Sequence, residues 1–241
     1  MAPYDTGFET IAGITAALHH TLERSQRSGL RPSPILLENF PIPYLQTQKS
    51  GAPQPIRTVY ISSGFVVLLN FISHAKAIDG LSRGFLTKSL SNLSTDVQDG
   101  RLPGLPAEAA RNARSFETMN RQASYFNQMA GALVAVDMAH FSLGHYQKYA
   151  GQLTGNHSAP LNSLVTLAEW REAVMLGASR ALDCGLAVDG LKLIFESIHK
   201  IPGRQSWSLF FMPEEADARE ISRISRELDQ MQNRALLSSV H

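Results

Sequence analysis

The stretch DMAHFSLGHYQKY, Asp137 to Tyr149, lies in the longest apolar region of the chain and carries two histidines, His140 and His145. In a zinc-peptidase helix two histidines stand four apart, so both reach one ion, and a glutamate follows the first. Here the spacing is five and Phe141 follows the first histidine. On a continuous helix at about 100° per residue, five positions turn the side chains roughly 140° apart, too far for one tetrahedral ion. A one-residue π-bulge, common at functional sites, would bring His140 and His145 onto one face. The fold hangs on how this segment is built.

Around it the pattern is mainly helical. Ser124 to Gly151 reads as one long buried helix. Upstream, Asp5 to Arg27 has Phe8, Ile11, Ile14, Leu18 and Leu22 at spacings of three and four, the mark of an amphipathic helix. SPILLENFPIPYLQTQ, broken by Pro41 and Pro43, suits an edge strand followed by irregular chain, and GAPQP a turn. IRTVYISSG has strand composition, and Gly64 marks its switch into the helix FVVLLNFISHAKAIDG. The polar run Leu81 to Arg114, with DGRLPGLP inside it, reads as an insertion or lid within about residues 81–123 that adds little to the core.

Downstream, Thr166 and Glu169 spell a capping box at the head of a helix that stops at Gly185. Asp189 is expected to cap GLKLIFESIHK, and a last helix follows Met212-Pro213. These elements predict one α+β domain over residues 1–241, predominantly helical, with a small sheet beside a long central helix.

Composition excludes several classes. With 241 residues and 44% hydrophobic content the chain can bury a sizeable core. Its 22 basic and 21 acidic residues are scattered, leaving a charge of +1 and no basic stripe for a nucleic-acid backbone. Cys184 is the only cysteine, which rules out an internal disulfide and a cysteine-based zinc cluster. No apolar run reaches the roughly 18 residues of a membrane span. The chain as written is expected to be soluble and cytoplasmic, or periplasmic if a signal precedes it.

The order of these motifs resembles HtpX-like and CAAX-prenyl-protease-like zinc metallopeptidases. PILLENFPIPYLQTQKSGAPQPIRTVYISSGFVVLLNF is similar to the family's strand, "xSG" turn and first helix, and MAHFSLGHYQKY to its AHExGHxxxxH helix. EWREAVMLGASRALDCGLAVDGLKLIFESI resembles its ExEADxxG segment, and FFMPEEADAREISRI its closing HPxxxxRI. The likeness spans roughly residues 30–226 in one order. It implies a zincin-like metallopeptidase domain whose central helix carries the active site.

Matched by its flanks, His145 takes the place of the second zinc histidine, while Phe141 and Ser142 stand where the first histidine and the catalytic glutamate belong. Trp170 falls on the glutamate ligand, Val174 on the aspartate and Met212 on the closing histidine. His140 and Glu169 each lie one residue early, so the family's ligand set becomes His140, His145 and Glu169 around zinc. Asp137 would orient His140, or equally make a structural pair with it. The general base for a metal-activated water attacking a peptide bond would then be Glu172 or a residue from the insertion.

Two readings follow. One is a divergent zinc metallopeptidase. The other is a catalytically inactive pseudo-peptidase that binds a peptide or protein partner in the former substrate cleft, with Phe141 and Trp170 filling the ligand positions and the insertion as contact surface. A helical small-molecule enzyme using the histidines otherwise is a third class.

Overall fold

The computed structural model describes residues 3–25, 34–49, 57–96, 115–153, 159–203 and 205–238. The expected turn at 51–55 and residues 97–114 of the expected insertion lie outside them. The architecture is α+β and mainly helical, with one three-stranded sheet among the described residues.

Helix α1 (Pro3–Ser25) buries Ile11 and Leu18 completely, as its periodicity predicts. Strands β1 (Ile35–Glu38), β2 (Leu45–Lys49) and β3 (Arg57–Ser62) lie in the order β1-β3-β2. The segment read as irregular after Pro41 and Pro43 thus contains a strand: β2 pairs antiparallel with β3, Leu45 opposite Ile61, while β1 runs parallel to it. The prolines sit in the link between β1 and β2, where no ladder N–H is needed.

Strand β3 passes directly into α2 (Ser63–Asp79). Ser62 Oγ caps the helix by accepting from Phe65 N at 2.9 Å, and it also accepts from Tyr44 N at 3.0 Å. Gly64 is required here, because a Cβ would lie 2.1 Å from the Pro41 carbonyl oxygen. Phe65, Leu68, Leu69, Ile72 and Ala75 are fully buried on α2.

The start of the expected insertion is different from its polar reading. Residues Phe85–Asp96 form helix α3, and Leu86, Leu90 and Leu93 belong to the hydrophobic core. Three leucines at spacings of four and three supply the buried face that the polar content obscures.

Helix α4 (Phe116–Ser142) is the axis of the molecule and packs against α1, α2, β2 and three later helices. It begins earlier than expected because Ser115 caps it, accepting from Thr118 N at 3.1 Å. Every residue from Met129 to His140 is buried. A single turn, α5 (His145–Lys148), follows.

Helix α6 (Leu167–Asp183) starts at the Thr166–Glu169 capping box, formed in both directions, and stops before Gly185 at φ +77°. It lies so close to α4 that a Cβ on Gly177 would stand 2.7 Å from the Val136 backbone. Asp189 is the first residue of α7 (Asp189–Lys200) rather than its cap, and its carboxylate pairs with Lys192 and accepts from Gln232. In α8 (Ala218–Ser238), Ile221, Ile224 and Leu228 turn inward. No described helix is long and apolar enough to cross a membrane.

Candidate functional site

The polar cluster at the C-terminal end of α4 is buried by a change of chain direction. The helix does not run on to Gly151, and it contains no bulge beside Phe141: Ser142 is its last residue. Leu143 N donates to Ala139 O, Gly144 N donates to Phe141 O, and Gly144 takes the left-handed conformation at φ +79°. Such a glycine ends a helix at little cost, since it has no Cβ to clash. The chain then restarts in α5 with His145 as its first residue.

This break brings the histidines together. His140 Nδ1 and His145 Nδ1 lie 2.8 Å apart, with ring centroids at 5.0 Å and an interplanar angle of 61°. One nitrogen carries the proton and the other accepts it, so the contact is a hydrogen bond between two neutral imidazoles. Burial holds the His140 ring down to a pKa of about 3, with a further push from His145 against the opposing pull of Glu169. Burial also lowers His145, countered by Glu169 and Glu172.

Asp137, one turn before His140, is 5% exposed and clasps three elements. Its carboxylate accepts from Thr47 N at 3.2 Å, from Thr47 Oγ1 and from the Tyr146 hydroxyl. Thr47 N is shared with the Tyr146 oxygen at 3.0 Å. Leu45, Thr47 and Lys49 turn their backbone groups away from β3, as the Ser62 N to Tyr44 O bond fixes, so this clasp occupies the outer edge of β2 at Thr47.

Glu169 is fully engaged. Its carboxylate accepts from Lys148 Nζ at 2.5 Å, Tyr149 hydroxyl at 2.9 Å, Thr166 N at 2.8 Å and Thr166 Oγ1 at 3.0 Å. Burial raises its pKa, but Lys148, Thr166 and Tyr149 outweigh that and carry it down to about 2. Glu172, one turn along, faces solvent. Trp170 is completely buried, donates from Nε1 to Phe211 O at 3.1 Å and meets Phe195 edge to face at 5.3 Å. Phe141 is half-buried against Tyr146 at 6.4 Å.

The residues present do not fit a tetrahedral zinc. Two nitrogens on one zinc stand roughly 3.3 Å apart, given Zn–N distances of about 2.0–2.1 Å. The two Nδ1 atoms are closer and share a proton. The third expected ligand, Glu169, carries four hydrogen bonds of its own, and among the described residues no three His, Cys, Asp or Glu side chains form a metal-holding group.

A cavity of about 30 Å³ lies beside this cluster. His140, Asp137, Tyr146, Gln46 and Asn162 line its polar side, and Phe141 and Trp170 do not reach it. Thr47, Tyr146, Lys148 and Asn162 escaped the sequence reading. Tyr146 lies inside the opening motif and was within reach, whereas Thr47, 90 residues from Asp137, had no local signal. Comparison of the chain with protein-family models, with curated proteins and with solved structures finds no match.

Proposed function

We propose that this chain is a catalytically inactive relative of the zincin-type metallopeptidases that works by binding a peptide or protein partner. The observation that carries this reading is the 2.8 Å hydrogen bond between His140 and His145. A peptidase would spend both imidazoles on the ion and keep a carboxylate free as base. Here the imidazoles are spent on each other and the Glu169 carboxylate on a capping box. The order of strand, Ser-Gly pair, first helix and central helix keeps the resemblance, while Phe141 and Ser142 stand in place of the reactive pair.

Support for a partner comes from the opposite end of α4. Phe116 is 77% exposed, Met119 48% and Leu81 58%. Gly80 abuts Arg121, which puts all three at one end of the α2–α4 pair and at both ends of the expected insertion. Apolar side chains gathered at one place mark interaction sites more often than single ones do.

The test is elemental analysis after zinc exposure and exhaustive dialysis, run beside a peptide-hydrolysis screen and binding of a displayed peptide library. The proposal expects no retained zinc, no cleavage, and peptide binding weakened by the double substitution Phe116→Ser and Met119→Ser. One zinc per chain, lost in His145→Ala together with hydrolysis, would overturn it in favour of a metallopeptidase with Glu172 as base.

A further inference from the structure

Two buried polar atoms, on residues that line one cavity, have no hydrogen-bond partner among the described residues. Among the described residues, His140, 3% exposed, finds no hydrogen bond for its Nε2, and Asn162, in the 3₁₀ turn Leu161–Ser163 and 7% exposed, finds none for its Oδ1. Both residues line the cavity of about 30 Å³, and His145, which holds the other nitrogen of the His140 ring, does not. A buried polar atom without a partner is costly, so two beside one space call for a shared one.

We propose that this cavity is a binding site for internal water, bridging His140 Nε2 to Asn162 Oδ1. The volume suits one or two molecules, since a single water needs at least about 10–15 Å³ by this measure. The chemistry selects water over ions. Asn162 Oδ1 accepts only, and the Asp137 carboxylate lies on the same wall, so an anion is repelled. A cation would find few free lone pairs beyond Asn162 Oδ1, since the Asp137 oxygens already accept from Thr47 and Tyr146.

Water satisfies His140 in either tautomer. If His145 donates through Nδ1, His140 carries its proton on Nε2 and gives it to the water, which donates to Asn162. If His140 donates, its Nε2 lone pair takes a second hydrogen of the same water. The bridge ties α4 to the 3₁₀ turn and continues the hydrogen-bond chain from Asn162 through His140 to His145. It does not depend on whether the protein binds a partner.

The experiment is heteronuclear NMR of the full chain with ¹⁵N-labelled histidine, detecting cross-relaxation between water and the His140 ring protons, alongside a crystal structure at a resolution that orders solvent. A long-lived water seen from the His140 ring, with density within hydrogen-bond reach of both atoms, is expected. Asn162→Leu, which keeps the heavy-atom branching and removes the acceptor, should abolish the signal and shift His140 Nε2 while leaving the Tyr146 hydroxyl contact intact. A dry cavity in the wild-type protein, or an anomalous metal peak there, would overturn the proposal even if Asn162→Leu fails to fold.

Discussion

His140 and His145 meet through their Nδ1 atoms although five residues separate them, because Gly144 turns the chain between them at φ +79°. The contact therefore depends on a backbone conformation that β-carbons resist. Gly144→Ala meets no steric clash, since its nearest neighbour would be Gln147 Oε1 at 4.0 Å. Its cost is conformational, about 1–2 kcal/mol, and Gly144→Asn should cost less. Chemical denaturation measures both. Equal stability of glycine, asparagine and alanine at this position would show that the turn is not held as described.

The histidine pair also sets a pH dependence. In the unfolded chain His140 takes a proton near pH 6.5, whereas the folded ring resists it down to about 3. Its folded pKa is depressed, so below 6.5 the unfolded state binds the extra proton and gains. The stability is present above 6.5 and is lost progressively as pH falls toward 3, on the order of a few kcal/mol at about 1.4 kcal/mol per unit. Glu169 adds its own loss lower, between 4.5 and about 2. A pH series of urea midpoints should decline from 6.5 downward in the wild type, and His140→Phe should make the part above pH 4.5 shallower, leaving the share of His145 and His74, which burial also lowers. An unchanged acid limb in that variant would remove the ring as its source.

The Asp137 clasp predicts an asymmetry. Asp137→Ala takes the acceptor from Thr47 Oγ1 and the Tyr146 hydroxyl in a buried place, while Thr47 N keeps the Tyr146 oxygen, with roughly 1–3 kcal/mol at stake for each donor left unmatched. Tyr146→Phe removes one donor and leaves the carboxylate with both Thr47 bonds, so about 1 kcal/mol is expected. A double-mutant cycle should show the two coupled, because they share Thr47 N.

How far the sequence could be read follows from the range of the interactions involved. The capping box at Thr166 and the strand-to-helix switch at Gly64 are written in neighbouring residues, and both form where expected. The core face of α2 was legible from spacing alone. What escaped depends on distant chain. Strand β2 is stabilised by pairing with β3 and by Asp137, not by its own composition. The end of α4 was hidden differently: Gly144 inside an apolar run reads as a tolerated helix glycine, and only the turn that follows reveals it as a stop. The same glycine replaces the expected bulge as the reason two histidines five apart can touch.

Glu169 separates a ligand from a cap. As a cap it holds Thr166 N and Thr166 Oγ1 and is gripped by Lys148 and Tyr149, so Glu169→Ala should lower stability by about 0.5–2 kcal/mol. Glu169→Gln keeps an acceptor for Thr166 but loses the charge that holds Lys148, whose side chain is 57% exposed, and should recover most of that loss. A zinc ligand would behave otherwise: both substitutions would abolish metal stabilisation alike, and the wild-type melting temperature would rise with added zinc while theirs would not. Thermal melts of the three proteins with zinc and with chelator distinguish the two roles. A graded loss from wild type to glutamine to alanine, the same in both conditions, identifies the carboxylate as the lock on the head of α6.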